Sequence, residues 1–347
     1  MKKRLIAGVG ALSLAVLGFA MPSSVAAADD SKCADAAVLC IGVVTDIGHV
    51  DDKSFNQAAW EGAQAGAKAA GGVANYIESS AAADTEYAKN IKLFADKKYD
   101  VIVTVGFLEA NATLAAAKQY PDIKFIGVDQ FVSDAPANLA GLNFYEDRAG
   151  FVAGYLAGYL TKTGKTGAVV GLNIPPVYRF AEGFKNGVAH SAAEQGKKFA
   201  KTKIVYHPAA DNAFNDPAFG AANAAQMLSQ GYDVIFAAGG NTGNGALLQI
   251  AKTPGAYCIG VDTDQWGTVP EAQPCLVTSA MKLIDKGVAA LIAQAKDGSI
   301  AGGNYFGEVG LAPYHDFESK ISMEIQDKVT ALVPQVLDGT VPTGVKL

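Results

Sequence analysis

The chain has 347 residues, of which 50% are hydrophobic and 18% are charged, and its formal net charge is −6. This length and composition suit one large or two medium globular domains with an ample core. The sequence has no block of lysine or arginine, which argues against a nucleic-acid partner because neutralising phosphates requires clustered cations.

The N-terminus has the pattern of a secretory signal peptide. Three basic residues precede an apolar run from Leu5 to Ala20, and small residues then lead to a predicted cleavage site near Ala28. The run is barely long enough to span a membrane, which disfavours a retained anchor. A lipoprotein would carry its cysteine directly after the run, whereas Cys33 lies well past it. We therefore expect a signal peptide over 1–28 and a soluble, exported protein that is not lipidated.

Four cysteines behind a signal peptide suit an oxidising compartment. They allow three pairings, of which the local one is our expectation: Cys33 with Cys40, and Cys258 with Cys275. The four histidines lack the spacing of metal ligands, so the sequence predicts neither a metal site nor a cofactor.

The first predicted element of the mature chain is a strand over 38–44, whose β-branched apolar residues suit burial on both faces. A helix is predicted to begin at Ser54, because Ser54 and Gln57 have the spacing of a capping box. The side chains between the strand and the first helical turn include Asp46, Asp51, Asp52, Phe55 and Asn56. In open α/β sheets this crevice is where ligands bind. The alternative is an ordinary loop with helix-capping polar groups.

Strands and helices then alternate along the chain, which predicts βαβ units and a parallel sheet. The further predicted strands cover 73–77, 101–105, 125–128, 168–172, 204–206, 234–237 and 258–261. The predicted helices cover 85–96, 109–119, 146–160, 180–195 and 217–230, with a turn at 175–178 and a glycine-rich loop at 239–245 before one more helix.

An internal repeat divides this pattern into two similar halves. The segment 99–102 recurs at 232–235, and in both copies an aspartate that ends a later strand follows the tyrosine by 30 residues (129 − 99 and 262 − 232). The repeat predicts two α/β domains that face each other across a cleft. Asp46 and Asp129 would lie on one side of the cleft, and Asp262 would lie near the hinge.

Catalytic motifs are scarce. The glycine-rich loop at 239–245 lacks the Lys-Ser/Thr of a phosphate-binding loop. Close approach of its backbone N–H groups to an uncharged ligand or to the other domain explains it better, with a plain flexible loop as the alternative. Asp46 with Asp129 is a conceivable acid–base pair. Without a nearby histidine, metal or nucleophile, hydrogen bonding to ligand hydroxyls is the simpler role.

Several motifs together resemble the BMP family, the basic membrane protein-type, purine-nucleoside-binding components of ABC transporters. The matching segments are 45–46, 51–57, 60–62, 105–107, 127–129, 183–184, 213–217, 238–240, 260–265 and 278–282. The resemblance covers about residues 40–311. It implies a type I periplasmic-binding-protein fold, with two Rossmann-like lobes joined by three hinge strands and closing on the ligand. The expected N-terminal lobe comprises 39–144 plus about 263–300, and the C-terminal lobe comprises 145–262 plus about 301–347.

The resemblance also implies a set of ligand-binding residues. They are Asp46, Phe55, Asn56, Asp129, Phe180, Phe214, Gly240, Asp262 and Lys282. Phe55 and Phe214 would sandwich a base, and Phe180 would also face the cleft. Asp46, Asn56 and Asp129 would bind ribose hydroxyls or base edges. Gly240 would offer backbone hydrogen bonds, and Asp262 with Lys282 would bind polar groups of the ligand. The alternative interpretation for each of these residues is a purely structural role.

The function that follows is that of a monomeric periplasmic protein that delivers a nucleoside, expected to be a purine nucleoside, to an ABC-transporter permease. A second interpretation keeps the fold and changes the ligand to a free base, a riboflavin-like heterocycle or a sugar. A third is a nucleoside hydrolase, although the calcium-binding aspartate cluster of such enzymes is absent from the sequence. Many relatives in the family are lipoproteins, and this chain departs from them at its N-terminus.

Overall fold

The computed structural model describes residues 30–35 and 37–346. The predicted signal peptide lies outside these residues. Within the described part of the chain, no helix is both long enough and apolar enough to cross a membrane.

Two six-stranded sheets form the framework of the protein. The first contains β1 (Cys40–Thr45), β2 (Val73–Glu78), β3 (Val101–Val105), β4 (Lys124–Val128), β5 (Leu139–Asn143) and β11 (Gly303–Phe306). Its order is β2-β1-β3-β4-β5-β11, and its strands pair in parallel. The second contains β6 (Thr166–Val170), β7 (Lys203–Tyr206), β8 (Val234–Ala238), β9 (Tyr257–Asp262), β10 (Leu276–Lys282) and β12 (Val309–Leu311). Its order is β7-β6-β8-β9-β10-β12, parallel except for the antiparallel pair of β10 and β12.

Helices cover both faces of each sheet. They are α1 (Phe55–Ala70), α2 (Asp84–Asp96), α3 (Ala110–Gln119), α4 (Glu146–Leu160), α5 (Pro175–Glu194), α6 (Pro217–Ser229), α7 (Gly240–Ile250), α8 (Gln265–Thr268), α9 (Ile284–Asp297) and α10 (Met323–Leu337). On the first sheet, α1 and α9 bury one face, while α2 and α3 bury the other. On the second, α4 and α5 bury one face, and α6 and α7 the other. Strands such as β1, β3 and β8 are therefore buried along their whole length, as their β-branched sequences predict.

The chain crosses three times between the two units, which we call the first lobe (β1–β5, β11, α1–α3 and α9) and the second lobe (β6–β10, β12, α4–α8 and α10). The crossings follow β5, β10 and β11. This corrects the expected boundary at about 263, because residues 276–282 form a buried strand of the second sheet. The expected return at about 301 is also too early, since β11 still pairs with β5 in the first sheet.

The internal repeat corresponds to equivalent strands of the two sheets. The repeated tyrosine segments lead into β3 and β8, and the repeated aspartates follow β4 or end β9, which hold matching places in the two strand orders. Asp129 and Asp262 both adopt the left-handed backbone region, with φ of 61° and 64°. Aspartate tolerates this region better than most residues, yet such conformations cluster at functional sites.

Two predicted loop segments are helical in the structure. The turn expected at 175–178 is the first turn of α5, where Pro175 occupies an initial helix position that suits proline. The glycine-rich segment at 239–245 begins α7, whose helix starts at Gly240. Glycine has low intrinsic helix propensity, but burial of this segment against the second sheet outweighs it.

Both disulfides have the local pairing. Cys33 is bonded to Cys40, which ties the segment before β1 to the first sheet, and Cys258 is bonded to Cys275, which joins the starts of β9 and β10. None of the four cysteines is free.

Candidate ligand-binding cleft

The carboxyl ends of strands from both sheets meet around one cavity. The space inside it that can hold the centre of a water-sized sphere is about 50 Å³. The cavity is lined by Asp46, Asp52, Phe55, Asn56, Gly106, Phe107, Asp129, Ile174, Pro176, Val177, Phe180, Phe214, Ala238, Gly239, Gly240, Val261, Asp262 and Lys282. The structure therefore brings together all nine residues that the sequence nominated. Asp51, from the same sequence cluster, is exposed and lies outside this lining.

Asp52 organises the N-terminus of α1. Its carboxylate accepts hydrogen bonds from the backbone N–H groups of Ser54 (2.9 Å), Asn56 (3.0 Å) and Gln57 (3.1 Å). Ser54 occupies the predicted cap position, but the predicted capping box is wrong because its side chain makes no capping bond. The Ser54 hydroxyl instead donates to Oδ2 of Asp262 in the second lobe, at 2.7 Å. Asp52 thus fixes the backbone from which Phe55 and Asn56 project.

Asp46 is buried at the end of β1. Its Oδ1 accepts hydrogen bonds from the backbone N–H of Gly48 (2.9 Å) and from Nδ2 of Asn56 (3.2 Å). Burial raises the pKa of Asp46 to about 7, although these two bonds oppose the shift and the neighbouring carboxylates of Asp52 and Asp129 add to it. The carboxyl group of Asp46 therefore exchanges a proton close to neutral pH.

Lys282 provides a buried positive charge at the end of β10. Its Nζ lies 2.7 Å from Oδ2 of Asp129 in the first lobe and 4.7 Å from the centre of the Phe55 ring. Burial alone would lower the pKa of Lys282, but the surrounding carboxylates outweigh burial and raise it to about 12. The ammonium group stays protonated and joins the two lobes at the base of the cleft.

Glu146 is a further charged neighbour that the sequence reasoning missed. This first residue of α4 is buried, with Oε1 3.6 Å from Nζ of Lys282 and Oε2 3.4 Å from Arg179. Burial raises the pKa of Glu146 to about 8, while Lys282 opposes the shift and Asp129 adds to it. The available signal was its position directly after the chain crosses from the first lobe to the second, but its contact with Lys282 depends on tertiary structure.

Aromatic side chains from both lobes form the apolar walls. Phe55 begins α1, and Phe214 lies in the loop before α6; both are half-buried. The Phe214 ring packs on Gly171, where an added Cβ would lie 2.3 Å from Cε1 of the ring. Phe180 lines the cavity and also packs on Phe236, at 6.0 Å between ring centres, so it belongs to both the cavity wall and the core.

Phe107 lines the cavity and is 37% exposed, but it is not among the nine nominated residues. It lies two residues after the end of β3, one position further along than Asp46 after β1 and Asp129 after β4. The signal that could have identified it was its place in the loop at the carboxyl end of a strand that lies between β1 and β4. The apolar rim residues Ile174, Pro176 and Val177 belong to the start of α5, which the sequence assigned to a turn.

Among the described residues that line the cleft, two buried oxygens have no hydrogen-bond partner: Oδ1 of Asp129 and Oδ1 of Asn56. An unpaired buried acceptor costs about 1–3 kcal/mol. Both side chains line the cavity, so a ligand that presents hydroxyl or N–H donors would supply the missing bonds. The four lining carboxylates and single lining ammonium also disfavour an anionic ligand. Within the described residues, no group of histidine, cysteine and acidic side chains could hold a metal ion.

The sequence is similar to one family of transport proteins. The family model for the Bmp family, described as ABC transporter substrate-binding protein PnrA-like, matches residues 40–307. A protein named CD4+ T-cell-stimulating antigen from Listeria innocua is 32% identical over 366 residues, covering 98% of each chain. A Lactococcus lactis protein named ABC transporter nucleoside-binding protein BmpA is 30% identical, covering 99% of this chain and 100% of the relative. A Pyrococcus abyssi relative named an uncharacterized lipoprotein is 28% identical, covering 84% of this chain and 73% of the relative.

The fold agrees with that of solved transport proteins. An ABC transporter solute-binding protein from Aeropyrum pernix K1 matches with a TM-score of 0.78 and 25% identity, covering 87% of this chain and 92% of that one. The expected two-lobed, type I-like binding-protein fold is thereby confirmed. Because the family model matches most of the chain, this chain belongs to the Bmp family of PnrA-like ABC transporter substrate-binding proteins.

Proposed function

We propose that this protein captures a nucleoside, with a purine base, in the cleft between its lobes. The observation that supports this most is the pairing of two kinds of group in one cavity. Phe55 and Phe214 form aromatic walls from opposite lobes, and the unpartnered oxygens of Asp129 and Asn56 lie in the same lining. A nucleoside combines a flat base with a sugar that carries hydroxyl donors, and it has no phosphate.

In this proposal each half of the ligand has its own partners. The base stacks between Phe55 and Phe214, an interaction worth about 1–3 kcal/mol per base. The ribose hydroxyls donate to Asp46, Asn56 and Asp129. Gly240 offers a backbone N–H, and Asp262 with Lys282 binds the remaining polar groups.

Transport follows from lobe closure. ABC substrate-binding proteins act outside the cytoplasm, and we propose that this one works in the periplasm as a monomer that presents its closed, loaded form to a permease. We further propose that it is not lipidated, although the Pyrococcus abyssi relative is named a lipoprotein. Intact-mass measurement of the exported protein tests this, since the proposal expects the mass of an unmodified chain that begins near residue 29, whereas a lipoprotein would begin at a cysteine and carry additional lipid mass.

Mass spectrometry of the ligand released by denaturing freshly purified protein tests the nucleoside assignment. Recovery of inosine, guanosine or adenosine in near-stoichiometric amount is the expected result. Recovery of a free base, a flavin-like heterocycle or a sugar would overturn the nucleoside assignment while keeping the binding-protein role.

We propose that the protein is not an enzyme. The alternative is a nucleoside hydrolase that uses the carboxylates of the cleft. Such an enzyme would release the free base from a nucleoside. Incubating the protein with inosine and separating the products should therefore show no hypoxanthine above the rate in buffer. Release of more hypoxanthine than one molecule per protein chain would support the hydrolase interpretation instead.

A further inference from the structure

Three consecutive residues of the first lobe, Asp52 to Ser54, each contact the second lobe. The carbonyl oxygen of Asp52 accepts a hydrogen bond from Nδ2 of Asn244 at 2.8 Å. The carbonyl oxygen of Lys53 accepts one from Oγ1 of Thr268 at 2.8 Å. The third contact is the bond from Ser54 to Asp262, so one short segment touches three different elements of the second lobe.

The backbone of this segment is built to face the other lobe. Lys53 adopts a left-handed conformation, with φ of 61°, an uncommon state for a residue other than glycine. The Asp52 carboxylate fixes the segment to the start of α1 by accepting the N–H groups of Ser54 and Asn56. The two carbonyl groups therefore point away from their own lobe while the rest of the turn is held in place.

The carbonyl groups of Asp52 and Lys53 contact second-lobe side chains that are hydrogen-bonded to each other. Nε2 of Gln265 donates to Oδ1 of Asn244 at 2.9 Å and lies 3.3 Å from the carbonyl oxygen of Lys53. Asn244 and Gln265 are buried between the lobes. Neither they nor Thr268 line the ligand cavity, so these side chains contact the opposite lobe and not the ligand position.

We propose that Asn244, Gln265 and Thr268 form a latch that holds the lobes closed through the backbone of residues 52–54. The segment that the latch grips is immediately followed by Phe55 and Asn56. Closing the lobes therefore fixes the ligand-facing start of α1 at the same time, and the latch slows ligand escape without touching the ligand. This inference rests on the proposed capture by lobe closure, but its first test needs no identified ligand.

The first measurement is the distance between spin labels at the mouth of the cleft, introduced by Ser80→Cys and Asp211→Cys. Both positions are exposed, after β2 and β7 at the sheet edges farthest from the crossings, and the native cysteines are all bridged. In protein as purified, Thr268→Val and Asn244→Ala should each shift the ratio of short to long distances roughly two- to tenfold toward the long distance. This is the change expected from one net hydrogen bond.

The matched control is Asn223→Ala, because the Asn223 amide bonds within its own helix, to the carbonyl of Phe219. It should leave the distance distribution unchanged. Identical distributions in the parent and both latch variants would overturn the proposal.

The second measurement is the dissociation rate of guanosine by stopped flow. Both latch variants should release guanosine roughly two- to tenfold faster, with little change in the association rate. If the label distances shift as expected but neither the parent nor the variants bind guanosine, the latch is supported and the nucleoside proposal is wrong. If guanosine binds and its dissociation rate is unchanged in both latch variants, the latch does not control release and the proposal is wrong.

Discussion

At the scale of single residues, Lys282 decides the electrostatics of the cleft. A buried ammonium group is costly unless its partners are close, and here Asp129 and Glu146 both lie within 4 Å of Nζ. The same group lies near the rings of Phe55 and Phe180. Removing one partner of such a buried pair is strongly destabilising, so Lys282 is a poor site at which to separate ligand binding from folding. Phe55 and Asp46 allow cleaner experiments.

Phe55→Ala should weaken all nucleosides by a similar amount, about 1–3 kcal/mol, because every base presents a π-face to the ring. Calorimetry with inosine, guanosine, adenosine and cytidine measures this. Phe131→Ala is the control, since Phe131 is 62% exposed and lies outside the cavity lining. A loss confined to one nucleoside would show that Phe55 does not act by general stacking.

Asp46→Asn should change how stability depends on pH. The raised pKa of about 7, against an ordinary value of 3.8, means that the native state holds a proton that the unfolded chain has released. The free energy of unfolding therefore falls as pH rises between about 4 and 7. Asparagine does not ionise, so the variant should gain stability relative to the parent over this window, by at most about 4 kcal/mol at about 1.4 kcal/mol per pKa unit.

Urea unfolding of ligand-free protein at pH 5 and pH 8 measures this difference. Asp51→Asn is the matched control because Asp51 is exposed, and it should leave the pH dependence unchanged. Equal pH dependence in the parent and Asp46→Asn would show that Asp46 is already ionised in the native state at pH 5.

At the scale of elements, the start of α1 shows what the sequence could and could not predict. The strand, the polar turn and the helix beginning were all predictable, because apolar runs and cap positions are local signals. The identity of the capping group was not. Ser54 and Asp52 are both good helix caps by residue type, and only the contact with Asp262, 208 residues away in sequence, assigns the serine hydroxyl to the other lobe.

The same limit applies to other elements. The segment 239–245 has the composition of a loop, and its helix forms because the second sheet covers it. Residues 276–282 form a strand that the sequence did not predict. Because this strand belongs to the second sheet, the chain returns to the first lobe later than expected. By contrast, the repeat located Asp129 and Asp262 correctly at equivalent strands, since it compares two copies of one pattern and needs no tertiary information.

Asp52→Ala should destabilise the protein by about 1–2 kcal/mol, the usual cost of losing a helix cap. It should also weaken guanosine binding, because the carboxylate holds the backbone of Phe55 and Asn56. Chemical denaturation and calorimetry measure the two effects. Asp51→Ala is the control from the adjacent exposed position and should change neither quantity. Equal stability of the two variants would contradict the assignment of Asp52 as the cap.

At the scale of the whole molecule, the two lobes are joined both by the chain and by polar contacts. Three chain crossings join them, and the Lys282–Asp129 pair and the contacts of residues 52–54 bridge the cleft. When the lobes separate, water can replace these polar contacts. Each lobe keeps its own apolar cores. Rigid-body hinge motion is therefore the expected conformational change.

Small-angle scattering tests this motion. Ligand-free protein, prepared by unfolding and refolding with its disulfides intact, should show a larger radius of gyration than the same sample with saturating guanosine. Ribose serves as the control ligand, since it lacks the base that would join the two aromatic walls. Guanosine binding without any compaction would contradict closure of the cleft on its ligand.

The most direct test of the central claim is a calorimetric titration of ligand-free protein with guanosine, in parallel with guanine, ribose and guanosine monophosphate. A cleft that stacks a base between Phe55 and Phe214 and pairs ribose hydroxyls with Asp129 and Asn56 should bind guanosine at one site per chain. It should bind guanine and ribose far more weakly, and the acidic lining should reject the monophosphate. Failure to bind guanosine, or tighter binding of ribose or the monophosphate, would contradict the proposed function.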